Sequence, residues 1–306
     1  MIRSFLPIDL FIILTQNGLL SDVASTKDSV GPSEGTVIPS MAKLLVRSIN
    51  LRDRRHTWVK MDGFDFQGLA AVRNRSHMCT WEVEHLVLKN CDADSCISLL
   101  ERLSLTGGEL GIERIFLRLP KDSDLLAAAC DAGFSPYLTE DLHYFNSEDD
   151  TIGAFTDHVS PLSRRKRPED EYGIFELYRK CVPASIQWIE GLTFKDWQVN
   201  RERASGTEWV FEKNGQLIGW LNVKRRKRHG QLDILALPEE ELEQIVRHGL
   251  QLLEGCRSCI CLLPSHQARV SSLLKSNGFS VLGKYAVLTK EPVCRKKLPC
   301  LIPASA

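Results

Sequence analysis

Two side-chain groupings in this chain have types and spacing that could do chemistry. The run Lys224-Arg-Arg-Lys-Arg-His229 is dense enough in cations to grip phosphate groups. It also sits at the edge of a β-rich segment, where charged residues keep strands soluble and block edge pairing. No aromatic side chain interleaves it. The chain has 39 Lys plus Arg against 39 Asp plus Glu, so no global field draws it to nucleic acid or an anionic membrane. The solvated-hairpin reading is the stronger one, here and for Arg164-Arg-Lys-Arg167. Cys256, Cys259 and Cys261 have a C-x-x-C-x-C spacing that suggests zinc. A structural zinc site needs four ligands, usually from a second, distant pair, and only His248 and His266 are at hand. The cysteines lie on a predicted buried strand, where alternate side chains point to opposite faces. They read as core packing, with no metal. No Ser-His-Asp or nucleophilic cysteine motif occurs in recognisable context.

The elements behind these groupings occur twice. Gly111 to Pro120 reads as a buried strand, Lys121 to Ala132 as a helix, and Gly133-Phe134 as the turn into an apolar stretch ending at Phe145. Cys256 to Pro264, Ser265 to Asn277, and Gly278-Phe279 leading to Thr289 repeat the same order. A repeat of this size is a duplicated domain, far longer than a solenoid period. At 306 residues, with 43% apolar and 25% charged residues, the chain has room for two ordinary cores. Ten cysteines are irregularly spaced. Cys96, Cys130, Cys259 and Cys261 fall in apolar-periodic segments, as reduced core thiols of a cytoplasmic protein would.

Residues 1 to 40 read as a disordered or non-native extension. Phe5 to Leu14 is apolar but broken by Pro7 and Asp9. It is too short to span a bilayer, and the acidic break makes a poor secretory signal. Residues 15 to 40 are rich in Ser, Gly, Thr and Asp, a disordered composition. A chain starting at Met41 is therefore expected to fold as well as the whole.

From Met41, Leu44 to Ile49 predicts a strand, and Gly68 to Val72 and Thr80 to Leu88 predict two more. A helix begins at Asp92 or Asp94, whose carboxylates suit an N-cap, and ends at Gly107-Gly108. The acidic run Glu148-Asp-Asp150 marks a linker over 147–160. The second half opens with helices around Ile174 to Cys181 and Ile186 to Trp197. Asn214-Gly215 between two β-rich runs predicts a type I′ hairpin, because both turn positions need positive φ. Leu232 to Leu237 is a further strand and Glu239 to Leu253 a helix. The segments are 41–146, 161–291 and a loose tail over 292–306.

Arg165 with Asp170, the Asn214-Gly215 hairpin with Gly219, and the paired Gly133-Phe134 and Gly278-Phe279 endings carry a resemblance to the GNAT (Gcn5-related N-acetyltransferase) superfamily. It covers roughly residues 160 to 291 throughout. It also covers Met41 to about Asn146, without most of the helical segment between the first strand and the hairpin. The resemblance implies a mixed α/β fold of two GNAT-like domains in tandem, the first truncated, transferring an acyl group from acyl-CoA to an amine.

In that family acetyl-CoA lies in a splay between the fourth and fifth strands, with its pyrophosphate on a glycine-rich turn. The equivalent turns here, Lys89 to Ser95 and Leu237 to Glu241, contain no glycine and carry carboxylates. A like-charge contact there costs about 1 to 4 kcal/mol. The tyrosine that protonates the leaving thiolate is replaced by Ala129 and Leu274. Glu82, Glu84 and Asp233 lie on the strands that carry the family's general base, and Glu84 and Asp233 are the catalytic candidates. The second lobe keeps the complete element order. The cofactor is therefore expected along the backbone of Leu235, Ala236 and Leu237, with Arg225, Arg226 and Arg228 as phosphate partners. The implied activity is N-acyl transfer from acetyl-CoA or another acyl-CoA to a small-molecule or protein amine through a divergent, weak or inactive cofactor site. The competing reading is a non-catalytic GNAT-like module that binds a ligand or partner protein in the old cleft. Nucleic acid and membrane are not expected partners.

Overall fold

The computed structural model describes residues 1–6, 8–15, 20–30, 56–63, 65–146, 162–202, 204–238 and 241–293. The expected strand Leu44–Ile49, the linker 147–160, nearly all of the tail, and residues 31–40 of the extension lie outside the described residues. The described strands form a single sheet that runs through both halves of the chain.

In the first half, β3 (Thr57–Asp62), β4 (Asp65–Asn74) and β5 (Thr80–Lys89) form an antiparallel meander. Helix α2 (Ala93–Leu110) follows, then β6 (Arg114–Pro120), α3 (Leu125–Asp131) and β7 (Ser135–Asn146). Asp92 caps α2 by accepting from the Ser95 amide at 2.9 Å. The helix runs past Gly107 and Gly108 and stops at Gly111, whose φ of 75° supplies the left-handed cap. Gly107 has a packing reason: a Cβ there would sit 3.3 Å from Ile115 and Trp81.

The second half repeats this plan. A short strand β8 (Ser163–Arg165) leads to helices α4 (Glu171–Cys181), α5 (Ala184–Glu190) and α6 (Phe194–Asn200). Next come β9 (Thr207–Lys213), β10 (Gln216–Arg226) and β11 (His229–Ala236). The unit closes with α7 (Leu242–Gln251), β12 (Ser258–Pro264), α8 (Ala268–Ser276) and β13 (Ser280–Lys290). Asn214 and Gly215 have φ of 52° and 76°, the expected hairpin geometry. The glycine endings match closely. Gly133 and Gly278 have φ of 83° and 86°. Phe134 N–H donates to Ala129 O at 3.0 Å, and Phe279 N–H to Leu274 O at 3.1 Å.

The two halves are joined by an exchange of strands. The order through the centre of the sheet is β6-β13-β7-β12. Replacing β6 by β12 and β7 by β13 reverses this order onto itself, so the centre has an approximate twofold. The last strand of each half lies beside the other half's fifth-position strand, β13 on β6 and β7 on β12. The sequence boundary near residue 146 therefore divides the chain, but neither lobe completes its sheet alone.

Residues 1–30 correct the expectation of a disordered extension. They form β1 (Ile2–Ser4), α1 (Asp9–Thr15) and β2 (Leu20–Asp22). β1 pairs with β3 and β2 with β5. Phe5, Ile13 and Leu20 pack on Val59, Met61, Phe66, Leu69 and Val87. These residues alternate along their strands with Trp58, Ala70, Leu86 and Leu88, which pack under α2 and α3. The sheet's second face in lobe one is thus covered by the N-terminal segment, where lobe two uses α4 and α6. This face of the sheet is apolar and needs a cover, and Phe5, Ile13 and Leu20 supply it. Asp9 does not break this segment. It opens α1, accepting from Leu6 N–H at 2.7 Å and pairing with Arg3.

Candidate functional site

Two gaps in the sheet are the places where a ligand can meet open strand backbone. β5 and β6 pair in parallel only over Thr80–Glu82, and β11 and β12 only over His229–Gln231. Beyond those points each pair diverges. In lobe one a bulge helps: the β4 partners step from His85 to Val83, leaving Glu84 unopposed, and a bulge bends its strand. The β10–β11 ladder is regular over its whole length.

The first gap is filled by the chain itself. β2 lies along β5 with Leu20 opposite Lys89 and Asp22 opposite Val87. The same segment then bonds both sides, Val23 N–H to Leu86 O and Ser25 N–H to Arg118 O, each at 3.0 Å. Asp22 anchors it by bonding His85 at 2.7 Å and accepting from Leu86 N–H at 3.1 Å. Glu84 is half-buried and does not line the cavity that holds Asp233. The turn after β5 is turned inward: Asp92 spends its carboxylate on the α2 amides.

The second gap opens on a cavity of about 170 Å³. Among the described residues no strand takes the β12 side of β11 beyond Gln231. Asp233 and Leu235 of β11 face the cavity, with Pro264 at the end of β12 and His266 and Gln267 just after it. Tyr178, Trp197 and Trp220 form an aromatic wall, and Tyr137 and Glu140 of β7 come from the other half of the chain. Asp233 is 9% exposed. Asn222 Nδ2 donates to one of its oxygens at 2.8 Å, and the other oxygen has no partner among the described residues. Burial raises its pKa, so it is a stronger base than an exposed aspartate. Glu190, at the end of α5, accepts from Tyr137 Oη at 3.0 Å, and burial raises its pKa too. Neither carboxylate has a cation within 4.0 Å among the described residues. His266, lowered by burial, is held neutral there.

Beside this open pair lies a closed one. Arg118 Nε donates to Glu140 at 2.7 Å and its Nη2 to Glu202 at 2.6 Å, while Nη1 is 3.7 Å from Glu82. Arg75 reaches Glu202 at 3.3 Å and stacks on Phe116. Burial would raise Glu202, but Arg118, Lys27 and Arg75 outweigh it and hold this carboxylate well below its usual range. Arg75 Nη1 also donates to Asn200 O at 2.8 Å. The network therefore ties β4 and β6 of lobe one to the end of α6 in lobe two.

The expected cofactor residues are not brought together. Arg225, Arg226 and Arg228 are exposed at the β10–β11 turn. Leu235 to Leu237 lie at the other end of β11, roughly 20 Å away at the usual rise per residue. Only Leu235 of the three lines the cavity; Ala236 is buried in the α7 core. Leu237 N–H donates to Ile218 O, and Pro238 O accepts from Arg269. Glu241 pairs with Lys213, and Glu239 and Glu240 lie outside the described residues. An acyl-CoA, which this fold implies, fits this chain in part. The open β11 edge can bond the amides of its pantetheine arm. Of the described residues there, Leu237 spends its N–H on Ile218 O and Pro238 has none, so neither offers an amide to its diphosphate. Ala129 and Leu274 are fully buried in their cores, so no tyrosine replaces them from those positions. Cys256, Cys259 and Cys261 are buried in the lobe-two core.

Tyr137, Glu190, Trp197 and Lys27 are cavity residues that the sequence did not single out. Tyr178 carried one signal, its place on the apolar face of α4; the others gave none.

No protein-family model matches the chain, and no curated protein matches it. Solved structures do. A GCN5-related N-acetyltransferase from Sphaerobacter thermophilus aligns with a TM-score of 0.57 over 97% of both chains at 12% identity. A tandem GNAT protein from the clavulanic acid biosynthesis pathway aligns at 0.54 over 97% of this chain and 99% of its own, at 13% identity. A Drosophila protein aligns at 0.55 over 96% and 99%, also at 13% identity. These likenesses show the fold: mixed α/β, with two GNAT-like domains in tandem.

Proposed function

We propose that the chain is an acyl-CoA-dependent N-acyltransferase that works through its second lobe. The observation that carries this reading is the open β11 edge beside a cavity holding an unpaired, basic Asp233. Acyl-CoA, when bound, supplies an activated thioester carbonyl. Asp233 takes a proton from the attacking amine, and Asn222 fixes which of its oxygens stays free. The aromatic wall of Tyr178, Trp197 and Trp220 keeps water from the reacting atoms. Glu190, which accepts from Tyr137 but has no cation within 4.0 Å among the described residues, favours a cationic acceptor, either a small amine or the terminal amine of a protein side chain. In the 237–241 turn Leu237 N–H is taken by Ile218 O, Pro238 has no N–H and Glu241 carries a carboxylate, so affinity for the nucleotide end is weak. The described cysteines are free thiols, which supports a cytoplasmic setting. Among the described residues no helix is long and apolar enough to cross a membrane.

The second reading, a non-catalytic amine-binding module, is favoured by that same turn. Calorimetric titration with acetyl-CoA and a thiol-release assay with benzylamine separate the two. The acyltransferase reading expects binding and turnover, with Asp233→Asn cutting turnover by about 100-fold or more and leaving acetyl-CoA binding unchanged. Because Asp233 acts deprotonated and its pKa is raised, the rate should climb with pH through that value. No acetyl-CoA binding at millimolar concentration leaves the non-catalytic module standing.

A further inference from the structure

One segment runs from the first gap to the second. After residues 20–25 fill the space between β5 and β6, the chain makes a tight turn over Thr26–Val30. Ser29 N–H and Val30 N–H both donate to Thr26 O, at 2.9 and 3.0 Å. Val30 is buried against Leu142 of β7 and Leu262 of β12. Asp28 is tied to Lys224, Arg73 and Ser205. Gln231, the last residue of β11 that still pairs with β12, donates its side-chain amide to Lys27 O at 2.9 Å. These bonds fix Lys27 at the root of the second gap.

The Lys27 side chain enters the same cavity as Asp233. Its Nζ lies 3.9 Å from Glu202, and 32% of the side chain remains exposed, facing that space. Burial alone would lower its pKa. The carboxylates of Glu202, Asp233 and Glu140 outweigh burial and raise it, so the group is a firm ammonium. A protonated amine is a poor nucleophile, yet it has the charge an incoming amine would bring.

We propose that residues 20–30 are an intramolecular inhibitor, with β2 filling the first gap and the Lys27 ammonium taking the acceptor amine's place in the second. This rests on the acceptor-site reading of the cavity given above. An amine that binds beside Asp233 enters the cavity that holds the Lys27 ammonium. That charge acts on Glu202 at 3.9 Å and, from further off, on Asp233, so ligand and segment compete for the same space and the same negative field. A single displacement bares the acceptor site while β2 stays paired.

The test uses the full chain and benzylamine, whose ring matches a cavity of this size. Lys27→Met keeps the length of the side chain and removes its charge; Lys27→Arg keeps the charge. Benzylamine should bind K27M at least about tenfold more tightly than the native chain, and K27R within about threefold of native. A folded K27M that binds no more tightly than native, or not at all at millimolar amine, overturns the proposal. A measurement on the native chain stands independently of that variant. Lysine acetylation with an N-hydroxysuccinimide ester, mapped by mass spectrometry, should be slow at Lys27 and several-fold faster once N,N-dimethylbenzylamine, a tertiary amine that the ester does not convert to an amide, is saturating. Bound N,N-dimethylbenzylamine with no change in Lys27 labelling overturns the proposal too. If acetyl-CoA binds neither chain while K27M gains benzylamine, the acyl-transfer reading falls and the inhibitor stands. If acetyl-CoA binds both and K27M gains nothing, the inhibitor falls alone.

Discussion

The two lobes share a skeleton down to the hydrogen bonds at Gly133 and Gly278, and they differ in what stands between their diverging strands. In lobe one β2 pairs with β5, and Ser25 just after it bonds Arg118 of β6. In lobe two nothing among the described residues pairs with the β12 side of β11 beyond Gln231. Diverging strands leave peptide groups that need partners, because unpaired buried backbone is costly. A duplicated fold can meet that demand from within or leave it for a ligand, and this chain does one in each lobe. The same contrast holds on the faces: α1 covers lobe one where α4 and α6 cover lobe two.

Removing the internal solution should have the largest effect. A chain beginning at Met41 loses Phe5, Ile13 and Leu20, which are 3%, 1% and 6% exposed. Each such burial contributes about 1.5 to 3 kcal/mol, an upper estimate because unfolded chains are partly compact. The expected outcome is a melting temperature lower by roughly 10 °C or more, read by circular dichroism. An unchanged melt would mean that residues 1–30 do not dock and that the lobes differ less than described.

The sequence misjudged this segment for a local reason. Phe5 to Leu14 looks too short and too broken for a core element, since Asp9 reads as an interruption. Only the tertiary partners show that Asp9 begins α1 and is paired by Arg3. The repeated strand-helix-Gly-Phe unit, the Asn214-Gly215 turn and the Asp92 cap are legible because each depends on neighbours in sequence. The exchange of β7 and β13 is not, since the alternation along a strand is the same whichever lobe it joins. For the site, Asp233 could be found as a carboxylate on the right strand. Glu190 and Tyr137 line the same cavity from α5 and β7, and no spacing in the chain announces that meeting. The basic run around Arg225 to Arg228 drew attention by its charge, yet it lies at the wrong end of β11.

A smaller effect should follow from cutting the link between the lobes. Arg118 belongs to β6, and it holds Glu202 from beyond α6 as well as Glu140 and Glu82. Arg118→Met leaves those carboxylates without their shared partner, which costs about 3 to 5 kcal/mol when a buried pair is broken from one side. Arg118→Lys should recover only part of this, because an ammonium lacks the guanidinium fork. Urea unfolding should show a lower midpoint with an unchanged slope. If the midpoint holds but unfolding separates into two transitions, the lobes are independent and the network is incidental.

The smallest effect sharpens the comparison at the two turns where a diphosphate would rest. In lobe one Asp92 caps α2 through the Ser95 amide. In lobe two Glu241 makes no such cap and gives its carboxylate to Lys213 at the surface. Asp92→Ala should therefore cost about 1 kcal/mol, the usual value of an N-cap, whereas Glu241→Ala should not move the unfolding midpoint measurably. The hydrogen bonds from Ser95 hold the Asp92 carboxyl below its ordinary range. Its contribution is thus fully present above the unfolded aspartate pKa of about 3.9 and is lost as pH falls through the native value. The gap between native and D92A should stay constant from neutral pH down to about 5 and close as the solution becomes more acidic. A gap that widens with acid, or an E241A loss as large as that of D92A, would show that the turns are built alike. The lobes would then have to be told apart by their gaps alone.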